Sequence, residues 1–231
     1  MNENYKWKGE TFNSKGIIIE SIPVVPRANH SYQKYQIPGR DGFLTIDNET
    51  YEPIPFSLKC HFKEGIDINE IRTWLDGYGT LQLDNEKVYE GFISNSISFE
   101  KIIEFQKFII QFVLQPIAKA LTITTDTIYE SEEYAVVSTT FTSNTYTKTF
   151  PLITLTCQGD TVITLNGKSF IIYDANGTYL LDCNAKIITK NGINQSGNMS
   201  GEFPFIKAGT NNLNINGFVT KLQVDYYKTY L

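Results

Sequence analysis

Residues 56–77 read FSLKCHFKEGIDINEIRTWLDG and contain one strand pattern followed by one helix pattern. From Phe56 to Phe62 an apolar residue occupies every second position, and the positions between them are not apolar. This period of two is typical of a strand that buries one face and exposes the other. The first part of the chain is therefore predicted to contain a sheet with an apolar inner side.

The helix pattern begins at Asp67, which is a good N-cap, and Glu70 follows three residues later as in a capping box. Gly77 is the expected stop at the carboxyl end of the helix. A helix of about nine residues is too short to be stable alone. We therefore expect it to pack on the sheet through its apolar side chains, which are Ile71, Trp74 and Leu75.

Two further apolar stretches flank this region. Residues 16–22 contain a run of isoleucines that is typical of a buried strand. Apolar residues alternate through residues 108–114, and Ile109 and Val113 between them are apolar as well, which predicts a strand covered on both faces. Trp7 is either a docking anchor or a core contact, and the sequence leaves both interpretations open.

The composition changes after Pro116, where a segment rich in Thr and Ser follows. We place a domain boundary near residues 117–127 and divide the chain into residues 1–122 and 123–231. Beyond the boundary, short alternating stretches recur about every ten residues, which favours a β-sandwich or jelly roll. Four dipeptides are predicted turns between these strands: Gly159-Asp160, Asn166-Gly167, Asn176-Gly177 and Asn191-Gly192.

The composition excludes several classes of protein. Of the 231 residues, 41% are hydrophobic and 19% are charged, which excludes general disorder, and the 14 Tyr and 15 Phe favour strands over helices. The net charge of −5 argues against a nucleic-acid clamp, and three cysteines are too few for a disulfide scaffold. No apolar run is long enough to span a membrane, so no membrane insertion is expected, and the polar N-terminus predicts no secretory signal.

No motif points to catalysis, and we predict no catalytic, cofactor-binding or metal-binding residues. A metal centre needs three or four converging ligands, and the only histidines are His30 and His61. Cys60 and His61 are adjacent, so on a strand they point to opposite faces and are interpreted as a core thiol and an exposed imidazole. No G-x-S-x-G and no glycine-rich phosphate loop is present, and nothing singles out a glycosidase pair among the 25 acidic residues.

The most distinctive local stretch is IPGRDG, residues 37–42. Pro38 and Gly39 suit the two central positions of a type II turn, and Asp41-Gly42 suits a tight hairpin. Arg40 would then lie at an exposed tip beside Asp41. The stretch is either a simple two-part turn or a rigid loop that presents Arg40 to a partner, and turn chemistry alone favours the first interpretation.

One interpretation of the aromatic run Tyr226-Tyr227-Lys228-Thr229-Tyr230 is a carbohydrate site, because a flat ring can stack on a pyranose. At strand spacing, Tyr226 is expected to face the core and Tyr227 the surface.

Several of these stretches occur in an order that resembles the distal tail protein (Dit) family of long-tailed, siphovirus-type phages and prophages. The residues Pro38, Gly39, Arg40, Asp41 and Gly42 are the best marker of this resemblance. The other matching stretches are Phe12–Gly16, Tyr51 with the strand to Phe62, Ile71–Leu75, a hairpin with Leu81, Leu83, Tyr89 and Gly91, Phe108–Pro116, Phe150–Ile153, Phe203-Pro204 and Ala208–Asn211.

The resemblance implies a mainly β fold: an N-terminal β-sandwich with one short helix and a projecting hairpin, then a galectin-like β-sandwich. It also implies a hexameric ring at the distal end of the virion tail, assembled in the bacterial host cytoplasm. The implied partners are further copies of the chain, the tail tube protein and tail-tip or baseplate proteins. DNA would only pass through, and we expect an acidic or neutral channel wall because phosphate is held by basic walls.

Extended hairpins suit a ring, because they can add a strand to a neighbouring sheet. The candidate is the region 81–99, whose turn is Asp84-Asn85-Glu86 and which includes Tyr89. An ordinary intramolecular hairpin is the alternative.

Two function hypotheses follow. The first is a structural tail hub without enzymatic activity, and the second is a carbohydrate-binding module that recognises the host cell wall. A wall hydrolase is disfavoured because no catalytic constellation is evident.

Overall fold

The protein, in a computed structural model that describes residues 5–21, 23–95, 97, 107–131 and 135–231, consists of antiparallel strands, one α-helix and one short 3-10 helix, Ser196–Asn198. It divides into two compact units. The N-terminal unit runs to Lys119 and includes Leu231, and the C-terminal unit covers Ala120–Tyr230.

The elements of the N-terminal unit are short. They are β1 (Lys6–Trp7), β2 (Glu10–Thr11), β3 (Ile17–Ser21), β4 (His30–Gln36), β5 (Phe43–Tyr51), β6 (Ile54–Phe62), α1 (Ile68–Leu75), β7 (Tyr78–Gln82), β8 (Lys87–Ile93) and β9 (Lys107–Leu114). Seven of the strands pair in the order β2-β1-β7-β8-β9-β6-β3, all antiparallel. Strands β4 and β5 form a separate two-stranded sheet.

Strand β6 confirms the alternation predicted for it, with apolar residues buried at every second position. Strand β9 corrects the prediction of burial on both faces: Phe112 and its alternate neighbours are buried, whereas Ile109 is 45% exposed. An apolar side chain on the outer face therefore does not require a cover. Strand β3 buries Ile17 and Ile19, and Ile22 of the predicted strand lies outside the described residues.

Helix α1 packs as predicted, with Ile71, Trp74 and Leu75 buried. The Asp67 carboxylate accepts a hydrogen bond from the backbone N–H of Asn69 at 2.9 Å, which confirms the N-cap. The reciprocal half of the capping box is absent, because the Glu70 carboxylate accepts a hydrogen bond from the Lys15 ammonium at 2.9 Å. The Lys15 ammonium thus takes the place of the Asp67 backbone N–H, which would be the donor to Glu70 in a capping box.

Trp7 is a core contact. Its side chain is fully buried, its indole Nε1–H donates to the backbone oxygen of Trp74 at 3.2 Å, and its ring centroid lies 5.3 Å from that of Phe112. The indole thus ties strand β1 to the end of the helix and satisfies its only polar atom.

Long strands build the C-terminal unit. They are β10 (Ala118–Glu130, which starts in the N-terminal unit), β11 (Ala135–Ser143), β12 (Leu152–Leu165), β13 (Lys168–Asp182), β14 (Ile187–Lys190), β15 (Ile193–Asn194), β16 (Met199–Gly201) and β17 (Gly209–Tyr230). Strand β17, with 22 residues, pairs with β10, β11 and β12. Alternating residues of β12, β13 and β17 form the apolar core, among them Leu155, Ile172, Leu181, Val219 and Val224.

Two of the four predicted turns are wrong. Asn166-Gly167 joins β12 to β13 and Asn191-Gly192 joins β14 to β15, as expected. Gly159 lies inside β12 next to a register shift, and Asn176-Gly177 lies inside β13. Glycines with positive φ serve bulges and irregular strand positions as well as turns, so the dipeptides alone overcounted the turns.

Within the described part of the chain, no helix is long and apolar enough to cross a membrane.

Candidate assembly surface

Strands β4 and β5 form a two-stranded hairpin, called here the arm, that pairs with no other strand among the described residues. The ladder runs from His30 opposite Tyr51 to Gln36 opposite Phe43. An isolated two-stranded hairpin is marginally stable in water, since it has no second layer in which to bury side chains. Within the described ranges both strand edges of the arm are therefore unpaired, and most of its side chains are exposed.

The IPGRDG stretch forms the tip of the arm, between the end of β4 and the start of β5. The Arg40 N–H donates to the Ile37 carbonyl at 3.1 Å, and Gly39 has a φ of 78°, which together make the predicted type II turn. Gly42 also has positive φ, at 80°. Arg40 and Asp41 are exposed at the tip. Whether Arg40 contacts a partner stays a prediction.

One face of the arm is apolar and uncovered. Directly opposite residues of an antiparallel pair share a face, as do residues two apart on one strand. Tyr35 lies opposite Leu44, and Gln33 opposite Ile46, so these four side chains form a single face. The three apolar members are between 41% and 49% exposed, and the Tyr35 hydroxyl donates to the Gln33 side-chain oxygen at 2.7 Å.

The other face of the arm is more polar. It carries Lys34, Thr45 and Asp47 together with Tyr32 and Phe43. Its two rings lie at opposite ends of the arm, so they form no continuous apolar strip. The arm is thus amphipathic, with one mainly apolar face and one more polar face, as in a sheet that packs on one side only.

The base of the arm, where its two strands begin and end, contains a small aromatic cluster. The His30 ring centroid lies 4.4 Å from that of Tyr51 and 5.7 Å from that of Tyr32. His30 Nδ1 is 3.5 Å from an Asp47 carboxylate oxygen, at the outer limit of a hydrogen bond. The Glu52 N–H donates to the Asn29 carbonyl at 2.8 Å and closes the base of the hairpin. These contacts therefore tie the two strands of the arm to each other at its base.

The hairpin predicted to contact a neighbouring subunit, within residues 81–99, belongs to the sheet of the N-terminal unit. Its turn is present, with the Asp84 carboxylate accepting from the N–H groups of Glu86 and Lys87, both at 2.8 Å, and Asn85 between. Its strands β7 and β8 have further neighbours, β1 and β9 respectively, and Tyr89 is 7% exposed. Part of the region 81–99 lies outside the described residues, namely Ser96, Ser98 and Phe99. A role of Asp84, Asn85, Glu86 and Tyr89 between subunits stays a prediction.

The adjacent residues Cys60 and His61 lie on opposite sides of strand β6. Cys60 is fully buried, while His61 on the adjacent position is half-exposed and contacts Glu20 at 3.2 Å, as predicted for a core thiol beside a surface imidazole. Burial raises the pKa of Cys60 to about 12, so the thiol stays protonated. Among the residues that the structure describes, no three His, Cys, Asp or Glu side chains are grouped so as to hold a metal ion.

Tyr226 and Tyr227 lie as predicted. Tyr226 is 3% exposed and its hydroxyl donates to an Asp126 carboxylate oxygen at 3.1 Å, whereas Tyr227 is on the surface. Burial, with a smaller contribution from Asp126, raises the pKa of Tyr226 to about 12.

The two strands of the arm are what the sequence reasoning missed. Only the turn between them was found. The signal that could have found them is the pair of stretches that flank IPGRDG, YQKYQ before it and FLTI after it, both rich in strand-forming residues.

These features define the chain as a mainly β protein of two units, and the described part of the first unit contains one short α-helix and a hairpin that pairs with no other strand there. Comparison with solved structures gives this fold a precedent. The Dit protein of phage SPP1, described as a paradigm of the hub adsorption apparatus in phages that infect Gram-positive bacteria, superposes with a TM-score of 0.78 over 99% of each chain, at 14% identity. A chain of the phage p2 baseplate in its activated conformation with Sr matches with a TM-score of 0.50 at 8% identity, over 99% of this chain and 98% of that one.

No protein-family model and no curated protein sequence matches the chain. The resemblance to the Dit family inferred from the sequence is confirmed at the level of the fold, which is Dit-like and mainly β over nearly the whole chain.

Proposed function

We propose that the chain is a structural protein of a phage tail, located at the distal end of the virion tail. In this proposal copies of the chain form a hexameric ring that joins the tail tube to the baseplate or tail-tip proteins and lets DNA pass. The support is the Dit-like fold over 99% of the chain together with the order of the sequence stretches that led to the same family.

The observation that carries the proposal is the uncovered apolar face of the arm. Tyr35, Leu44 and Ile46 would each be partly desolvated on contact with another copy, and burying apolar surface contributes about 25 cal/mol per Å². A cyclic ring needs a patch that meets a different patch on the next copy. A hairpin with free edges and one apolar face fits that requirement, because it can both pair and pack with a neighbour.

The proposed role is mechanical, and no chemical step is assigned to any side chain. The channel wall is expected to be acidic or neutral, in keeping with the net charge of −5. A cryo-EM ring whose pore is lined by Lys and Arg would contradict this part of the proposal.

The test compares the mass distribution of the purified full chain with that of an arm variant, using mass photometry and native mass spectrometry over a range of concentrations. The variant Leu44→Thr/Ile46→Thr keeps good strand-forming residues but removes apolar surface from the exposed face. The matched control is Leu121→Thr/Ile123→Thr on β10, which changes the same residue types at the same spacing at another exposed site.

We expect the unchanged chain and the control to form a closed hexamer at high concentration. The arm variant should need at least about tenfold more protein for the same assembly, since 1.4 kcal/mol of lost contact corresponds to a factor of ten. A chain that stays monomeric at every concentration and within its particle would refute the ring. Equal assembly of the two variants would remove the arm from the interface.

A further inference from the structure

In residues 145–150 of the C-terminal unit, TYTKTF, threonines alternate with larger side chains. The threonines face inward and the larger side chains face outward, which is the reverse of the usual pattern. The threonines point inward: Thr145 and Thr149 are buried, and Thr147 is half-buried. The residues between them point outward, with Tyr146 64% exposed, Phe150 43% exposed and Lys148 exposed as well. A segment that only served the core would bury its rings and expose its hydroxyls.

Hydrogen bonds fix this inverted arrangement. The Thr145 and Thr229 hydroxyls are 2.5 Å apart, the Thr147 hydroxyl donates to the Thr229 hydroxyl at 2.8 Å, and the Tyr146 N–H donates to the Thr229 carbonyl at 3.0 Å. Thr149 and Ile206 exchange two backbone hydrogen bonds of 2.9 Å each. The segment is therefore held between the end of β17 and residue 206, and its inward polar groups are satisfied.

The outward side chains form two clusters of rings and ammonium groups. The first contains Lys148, whose Nζ lies 4.2 Å from the ring centroid of Phe205 and 5.1 Å from that of Phe150. The second contains Lys228, whose Nζ lies 4.8 Å from the ring of Tyr146 and 5.2 Å from that of Tyr230. These six residues are called here the platform.

The platform is locally cationic within an acidic protein. The three segments that supply it, residues 143–150, 203–209 and 226–230, contain three lysines. The acidic residues that directly precede two of them have other partners: Glu202 pairs with Lys168, and Asp225 accepts a hydrogen bond from the Gln223 side chain. Across the whole chain acidic residues outnumber basic ones by 25 to 20. The lysines are held over ring faces, so their charge is positioned without a carboxylate partner in these segments.

We propose that the platform binds an anionic saccharide polymer, one whose pyranose rings carry sulfate, phosphate or carboxylate groups. A pyranose stacks its C–H groups on an exposed aromatic ring, and Tyr146, at 64% exposed, is the most exposed ring of the platform. The anionic substituents would pair with Lys148 and Lys228. The core of a protein interface is depleted in lysine, which disfavours a protein as the occupant. Single-stranded nucleic acid needs successive stacking rings, whereas the Tyr146 and Tyr230 planes are inclined by 39°.

The site goes beyond the ring role and lies in the other unit from the arm. Its test is isothermal titration calorimetry of the full chain at two salt concentrations. The probes are a sulfated heparin oligosaccharide, a neutral malto-oligosaccharide of the same length, inorganic polyphosphate, and an oligothymidylate.

Two variants alter the platform, Tyr146→Ser and Lys148→Gln. Two others are matched controls on the same unit, Tyr173→Ser at another exposed tyrosine and Lys186→Gln at another exposed lysine. All four positions are on the surface, so the variants should fold, and thermal melts check this.

We expect the sulfated oligosaccharide to bind more tightly than the other three probes and more weakly at high salt. Tyr146→Ser and Lys148→Gln should each weaken that binding by about fivefold or more, in line with one lost ring or charge contact, and the controls should not. No binding, or binding that the Tyr146→Ser variant retains in full, overturns the proposal.

Other occupants would give other results, each against the proposal. Tighter binding of the oligothymidylate would assign the platform to single-stranded nucleic acid. Polyphosphate binding equal to that of the oligosaccharide would reduce the effect to charge alone. A loss of oligomer mass in Tyr146→Ser, with saccharide binding unchanged, would make the platform a contact between copies of the chain.

Discussion

At the scale of single residues, the three cysteines are core side chains. Cys60, Cys157 and Cys183 are all free and at most 2% exposed. Burial is the main cause that raises their pKa values, to about 12, 11 and 12 respectively. Because the thiolate is the reactive form, the folded protein should protect all three from alkylation.

The first prediction concerns this protection. In the native protein at pH 8, iodoacetamide should label the three thiols about a hundredfold or more slowly than in urea, because labelling needs local opening. In urea all three should react, which mass spectrometry counts. Rapid labelling of any one thiol in the folded chain would contradict its burial.

The sign of the pH effect follows from the same shift. A thiol whose pKa is raised on folding favours the folded state below its ordinary pKa of 9.0, and this contribution is lost as the pH rises toward the folded value. The protein should therefore lose thermal stability in alkaline solution.

At the scale of elements, the pairing of β8 with β9 depends on a glycine. Gly91 lies opposite Leu114, and a Cβ atom added to Gly91 would lie 2.4 Å from the backbone oxygen of Val113. Backbone cannot move aside as a flexible side chain can, so any substitution must separate the strands.

The second prediction is that Gly91→Ala destabilises the protein by about 2–3 kcal/mol, measured as a shift of the urea midpoint. The control is Gly197→Ala, where the added Cβ meets no atom within 4 Å and the backbone conformation is ordinary. That variant should stay within about 0.5 kcal/mol of the unchanged chain. If Gly91→Ala shifted the urea midpoint no more than Gly197→Ala does, the close approach at Gly91 would be relieved without a loss of stability.

Elements that bury a periodic face could be predicted from the sequence. Strand β6 and helix α1 expose one side and bury the other, so their apolar residues recur at the period of the element. The arm could not be predicted this way. Its Tyr35, Leu44 and Ile46 lie on the surface, so its pattern lacks the contrast between core and solvent on which periodicity depends.

The candidate sites also contain features that could be predicted from the sequence and features that could not. The turn at Pro38-Gly39 was predictable because turn chemistry is local. The platform was not, because Lys148 and Phe205 are far apart in sequence and are brought together beside the isolated bridge between Thr149 and Ile206. The prediction that Tyr226 faces the core and Tyr227 the surface needed only strand alternation, and the structure confirms it.

At the scale of the whole molecule, each unit has its own apolar core. The C-terminal core is drawn from buried residues between Ile153 and Tyr226, with Ile128, Tyr129 and Phe141 packed against it. The domain organisation proposed from the sequence is an N-terminal ring-forming unit followed by a galectin-like sandwich. Such an organisation requires that the second unit fold without the first.

The third prediction tests this requirement. A fragment of residues 118–231, which keeps β10 whole, should show a cooperative thermal transition by circular dichroism and dispersed amide signals by NMR. Because the platform lies within the fragment, the melting temperature of the fragment can also be compared between the unchanged sequence and the Tyr146→Ser variant. A fragment without a cooperative transition would contradict the two-domain organisation.

The free edges of the arm also bear on what happens before assembly. Rows of unpaired amide and carbonyl groups can template indiscriminate pairing between newly made chains. Lys34, Asp47 and Glu49 place both signs of charge along the ribbon, and such residues act as gatekeepers against off-pathway aggregation. Replacing Lys34, which forms no ion pair with the described acidic residues of the arm, is the cleanest test: a neutral strand former there would be expected to lower the soluble yield, whereas Asp47 also accepts a hydrogen bond from the Glu49 N–H at 2.8 Å.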